Sequence, residues 1–160
     1  MAEAVTNQIP SQNDRIMAAL AHVTAILPMM GLIAPIVIWA TQKDKSEFVA
    51  FQALQATAYQ LLMVLLYFIG MGLYMCSFFT MFITMPLVEQ VGRDAPVEIL
   101  GVAFPFLVFG LIILGGLVFV VYGLVGAVMV LTGRNFRYFF LGSWLDHKLE
   151  KGGFPESSPT

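Results

Sequence analysis

Charge is scarce in this sequence, and what there is of it is unevenly placed. Of 160 residues, 8 are Lys or Arg and 10 are Asp or Glu, and three stretches hold none of them: Ile16–Gln42, Phe48–Val88 and Ile99–Gly133. A charged side chain at bilayer depth costs about 2.5 kcal/mol or more, so stretches cleared of charge mark a lipid solvent. At about 1.5 Å per helical residue, each is long enough to cross a hydrocarbon layer of roughly 30 Å. Other shortages exclude further classes. Cys76 is the single cysteine, so no intramolecular disulfide can form. No soluble segment carries a basic cluster, which speaks against nucleic acid as a partner. A Ser-His-Asp set, a carboxylate pair, a metal-ligand cluster and a phosphate loop all need polar residues in numbers this chain lacks, so a non-enzymatic protein is expected.

What remains is apolar: 59% of residues are hydrophobic and the mean hydropathy is +0.83, well above a globular domain. The fold class expected is an all-α integral membrane protein, with one helical membrane domain over residues 14–151 between disordered tails at 1–13 and 152–160. The segment before Arg15 contains no Lys or Arg, and the apolar run after it is longer than a signal h-region, so a cleaved signal peptide fits poorly.

Three transmembrane helices are expected, at about 19–40, 59–83 and 106–131. The first carries Pro28 and Pro35 and should be kinked, with Asp14 as the helix N-cap of its approach. The second run, of 41 residues, is too long for one crossing, and its opening puts Gln52, Gln55 and Tyr59 on one helical face. An interfacial helix over 48–58 accounts for the excess; the alternative is four spans, with a turn near Gly70-Met-Gly72. After the last span, Phe136, Tyr138, Phe139, Phe140 and Trp144 accompany two arginines, a pattern suited to an amphipathic helix over 136–150 at headgroup level. Short cytoplasmic loops collect Lys and Arg, and three spans divide the basic residues 6 to 2 where four divide them 5 to 3. Three spans are therefore favoured, in the bacterial inner membrane, with the N-terminus outside and the C-terminus in the cytoplasm. The Glu89–Glu98 loop then faces out. No internal repeat supports an inverted-repeat transporter.

Several motifs occur in series: Arg15-Ile-Met-Ala-Ala-Leu-Ala-His22, Gly31-Leu-Ile-Ala-Pro-Ile-Val-Ile-Trp39, Lys43-Asp-Lys-Ser-Glu-Phe48 leading to Gln55-Ala56, and Gly133-Arg-Asn-Phe-Arg-Tyr138. In this the chain resembles a widespread family of small uncharacterised bacterial membrane proteins, distantly similar to the membrane component of the chloroplast inner-envelope protein-import machinery. It departs from the family pattern at Gln52, Leu54 and Phe139, where His, Lys and Pro are usual. The resemblance implies a helical membrane fold and a part in moving or assembling other membrane proteins.

Among candidate site residues, His22 stands out as a titratable group inside an apolar run, where polar residues are functional candidates. It could ligate a haem or hydrogen-bond a quinone, or simply satisfy a backbone carbonyl. Met71, Met75, Met81 and Met85 recur around Cys76; their sulfurs could take Cu(I), and pliable packing is the simpler use. Ala21 with Ala25, Gly123 with Ala127, and the Gly115-Gly116 notch are small residues that let helices approach, internally or against a partner. Gln52, Gln55, Tyr59 and Gln60 are candidates for a polar groove, and Arg134, Arg137 and Trp144 for lipid anchors. The expected role is an accessory or assembly subunit of a larger membrane complex, its partners being lipids and other membrane subunits or copies of itself. A haem- or quinone-binding subunit through His22 and a homo-oligomeric channel are the alternatives.

Overall fold

The computed structural model describes residues 9–27, 29–91 and 95–139, and its regular structure there is helical throughout. Residues 1–8 of the tail expected at 1–13, the tail expected at 152–160, and residues 140–150 of the C-terminal amphipathic helix with Trp144 lie outside the described residues, whereas Gln12 and Asn13 belong to the first helix and so correct the end of the expected tail. Among the described residues four α-helices follow one another: α1, Gln12–Val23; α2, Ile33–Gln42; α3, Glu47–Val91; and α4, Ala95–Leu131.

Ser11 caps α1, correcting the expectation of Asp14. The Asp14 N–H donates to Ser11 Oγ (3.2 Å) while the Ser11 N–H donates to the Asp14 carboxylate (3.1 Å), a capping box that satisfies two otherwise orphaned donors.

The single kinked span expected at 19–40 is broken in two. Leu27, which precedes a proline, is extended (φ −99°, ψ 93°), as the ring of a following proline demands. Met29 adopts φ 66°, a left-handed conformation costly for a side chain of its size. Short 3₁₀ turns at Thr24–Ile26 and Met30–Leu32 bracket this reversal. Gly31 completes it: a Cβ there would collide with the Thr24 carbonyl. Pro35 falls in the first turn of α2, where its missing N–H has no helical partner to lose. The chain therefore doubles back, α2 packing along α1, with Ala21 and Ile38 meeting at Ala53 and Ala56 of α3.

Beyond Ser46, whose Oγ accepts from the Val49 N–H (3.4 Å), α3 runs 45 residues without interruption. It joins the expected interfacial helix at 48–58 to the span at 59–83, and it stays helical through Gly70-Met-Gly72, where the four-span alternative needs a turn. α4 likewise begins ahead of its expected start, with Pro105 inside it. Among the described residues, two segments are long and apolar enough to cross a membrane, Glu47–Pro86 and Gly101–Leu131. Only 11% and 6% of their most apolar windows are buried, whereas the core helix of a soluble protein would be mostly covered.

After α4 the chain is extended, which corrects the expected helix over its first residues, 136–139. The cause is the helix end. Gly133 takes φ 79°, its N–H donates to the Val130 carbonyl (2.9 Å), and the Arg134 N–H donates to the Met129 carbonyl (3.1 Å). This is a Schellman termination, and it turns the chain out of the helix axis.

The chain groups into two compact units, one from Met1–Leu61 with Val121–Thr160, the other Leu62–Val120. In the first, Tyr59 of α3 faces Tyr122 of α4, ring centroids 6.0 Å apart. In the second, Tyr74 lies against Phe109 (5.4 Å) and Gly70 against Ile112, so α3 and α4 are antiparallel there.

Candidate functional site

The buried polar side chains His22, Gln52, Gln55 and Gln60 all belong to the first unit. His22, on α1, is completely buried. Its Nδ1 lies 2.9 Å from the Tyr138 hydroxyl and its Nε2 3.1 Å from Gln52 Oε1. The Gln52 amide nitrogen donates to Asn135 Oδ1 (2.8 Å) and to the Phe136 carbonyl (3.1 Å), so its oxygen faces the ring. That orientation fixes the tautomer: His22 Nε2–H donates to Gln52, and Nδ1 accepts from the Tyr138 hydroxyl.

One turn on, Gln55 forms a two-way clasp on the segment that follows α4. Its amide nitrogen donates to the Phe136 carbonyl (3.4 Å) and its oxygen accepts from the Tyr138 N–H (3.1 Å). The glutamines thus supply, from α3, the backbone partners that a strand would find in a sheet. Aromatic rings close the cluster. Tyr138 stacks on Tyr59 at 4.0 Å and 10°, and Phe136 meets the His22 ring edge-on at 5.9 Å. Gly126 makes room, since a Cβ there would fall 2.8 Å from Phe136 Cε1 and 3.4 Å from His22 Nδ1.

Burial pushes the Tyr138 hydroxyl upward, keeping it a protonated donor. One donated and one accepted bond are what a neutral imidazole makes.

The expected polar groove of Gln52, Gln55, Tyr59 and Gln60 is assembled, yet it is sealed: none of the four is more than 5% exposed. Gln52, Gln55 and Tyr59 pack inward because Asn135, Phe136 and Tyr138 cover them. Both His22 nitrogens are engaged, so an iron or quinone bond there would have to displace Tyr138 or Gln52. Gln60 serves the hairpin instead, donating to Thr24 Oγ1 (3.0 Å) and the Ala21 carbonyl (3.3 Å).

Of the small residues, Ala21, Ala25 and Ala127 are buried, and Gly123 approaches Ala25 so closely that a Cβ would come within 2.8 Å of it. They serve internal packing. In the second unit, a Cβ added at Gly115 or Gly116 would meet nothing within 4 Å. Arg134 and Arg137 are exposed, and Arg137 lies over the Phe51 ring at 5.8 Å. Sequence reasoning missed Asn135, Phe136 and Tyr138 as site residues. Their signal was the alternation of Phe136 and Tyr138, buried, with Arg137, exposed: a period of two, which belongs to extended chain. Among the described residues, no three His, Cys, Asp or Glu gather as metal ligands.

The model of the magnetosome magnetite crystal formation protein family (MamF/MmsF) matches residues 13–145, and the chain belongs to that family. No curated protein and no solved structure matches it. The membership bears out a bacterial membrane protein family; the likeness to the chloroplast import component draws no support from it.

Proposed function

We propose that this protein is a non-catalytic accessory protein of magnetite crystal formation, acting from within the magnetosome membrane. The family match carries the reading, because it covers α1 through α4 and the segment that closes the buried network. The closed network supports it further. His22, Gln52 and Gln55 spend their hydrogen-bonding capacity within the network, on one another's side chains and on the side chains and backbone of residues 135–138, which is the behaviour of a scaffold. Influence on a crystal then runs through surfaces the protein presents and through the lipids, membrane subunits or further copies it contacts.

The test is removal of the gene from a magnetite-forming bacterium that carries it, followed by electron microscopy. Altered crystal size or shape, restored by the full chain and not by an unfolded variant, is the expected result. Crystals unchanged in size, shape and number would overturn the proposal. The assembly version, suggested by the resemblance, makes a separate forecast: loss of other proteins from the isolated membranes of that strain.

A further inference from the structure

We propose that α1 and α2 form a re-entrant wedge in a single phospholipid leaflet, so that the chain crosses the membrane twice and both of its ends lie on the cytoplasmic face. The first observation is length. At about 1.5 Å per residue, the 12 residues of α1 reach about 18 Å and the 10 of α2 about 15 Å, half of a hydrocarbon layer roughly 30 Å thick.

The second is polarity along the hairpin. Its base carries Asp14 and Arg15 on one arm and Lys43, Asp44 and Lys45 on the other, while its tip shows uncovered Leu27, Met29, Met30 and Ile33. An apolar tip on a charged base fits a lipid leaflet entered from the water side. The irregular backbone at the tip would be costly in hydrocarbon unless protein satisfied it. Within the tip the Leu27 N–H donates to the Thr24 carbonyl (3.0 Å) and the Gly31 N–H to the Leu27 carbonyl (2.8 Å), while Gln60, reaching from α3, bonds the Ala21 carbonyl at the end of α1 and Thr24 Oγ1.

The third is which residues share an end. A Cβ on Gly133 would fall 2.7 Å from Arg15 Cζ, and Gln52 bonds Asn135, so the base of α1, the start of α3 and the end of α4 lie together. Three crossings would hold Arg15 and Gly133 on opposite faces of the bilayer. With two crossings and a re-entrant hairpin, Arg15, Lys43, Lys45, Arg134, Arg137, Lys148 and Lys151 share one side and Arg93 has the other, a split of 7 to 1 in place of 6 to 2. The excess of basic residues makes that shared side cytoplasmic.

The inference rests on the membrane reading and is independent of any role in magnetite formation. Its test uses the full chain in a Cys76→Ser background, with single cysteines at Asn7, Leu27, Ser46, Gly92 and Ser158 and a membrane-impermeant maleimide applied to vesicles of each orientation. Positions 7, 46 and 158 should react only from the cytoplasmic side, 92 only from the other, and 27 from neither until detergent is added. Reaction of position 7 from the side of position 92 would overturn the proposal in favour of three spans, and ready reaction of position 27 before detergent would overturn the wedge. Reporter fusions at the two termini, which leave every internal residue in place, give the same decision independently: opposite faces would overturn it.

Discussion

The two units use the same helices in opposite ways. In the unit built from Met1–Leu61 and Val121–Thr160, small residues bring helices close and a hydrogen-bonded network of His22, Gln52, Gln55 and Tyr138 fills the interior. In Leu62–Val120, Ser77 is the one buried polar side chain among the described residues, and it bonds the Tyr74 carbonyl of its own helix (2.7 Å). Thr80 and Thr84 likewise bond carbonyls four residues back. Lipid tails are as apolar as leucine, so burying leucine between helices gains little there; close packing and buried hydrogen bonds must specify the arrangement. The first unit is specified in this way, while the second leaves its apolar side chains to the lipid.

The largest break in that contrast comes from His22→Ala. Truncation leaves the Tyr138 hydroxyl and Gln52 Oε1 buried without their partner and opens a void, and the summed cost is about 4 kcal/mol. Thermal unfolding in detergent should show a large fall in Tm. Ser77→Ala in the other unit should change it by less than about 0.5 kcal/mol, since only a bond within one helix turn is lost.

Much of this network was visible in the sequence, and the part that was not has a physical reason. Gln52, Gln55, Tyr59 and Gln60 declare themselves by lying on one face of an apolar helix, and His22 by its isolation. Tyr138 is 116 residues from His22 along the chain, and no local period registers such a partner. Hydropathy failed at the first segment for a different reason. A hairpin that dips into a leaflet and a helix that crosses it are equally apolar, so hydropathy alone does not separate them. The distinguishing marks were conformational: Pro28, Gly31 and the strained Met29 within a few residues of one another.

Two glycines in α4 give the finest comparison. Gly126→Ala forces the Phe136 ring to move, because the new methyl would sit 2.8 Å from Cε1 and 3.0 Å from Cδ1, and the ring is held by its contact with His22. The expected cost is about 1–2 kcal/mol, only partly offset by alanine's better helix propensity. Gly115→Ala meets nothing within 4 Å, so propensity alone acts and the protein should gain about 0.5 kcal/mol. Paired unfolding curves check both signs, and size measurements in mild detergent add a second readout. A Gly115→Ala protein that loses stability or changes its assembled mass would mean that another helix covers this notch in the membrane. The second unit would then be specified by close packing as well, against a neighbour outside its own chain.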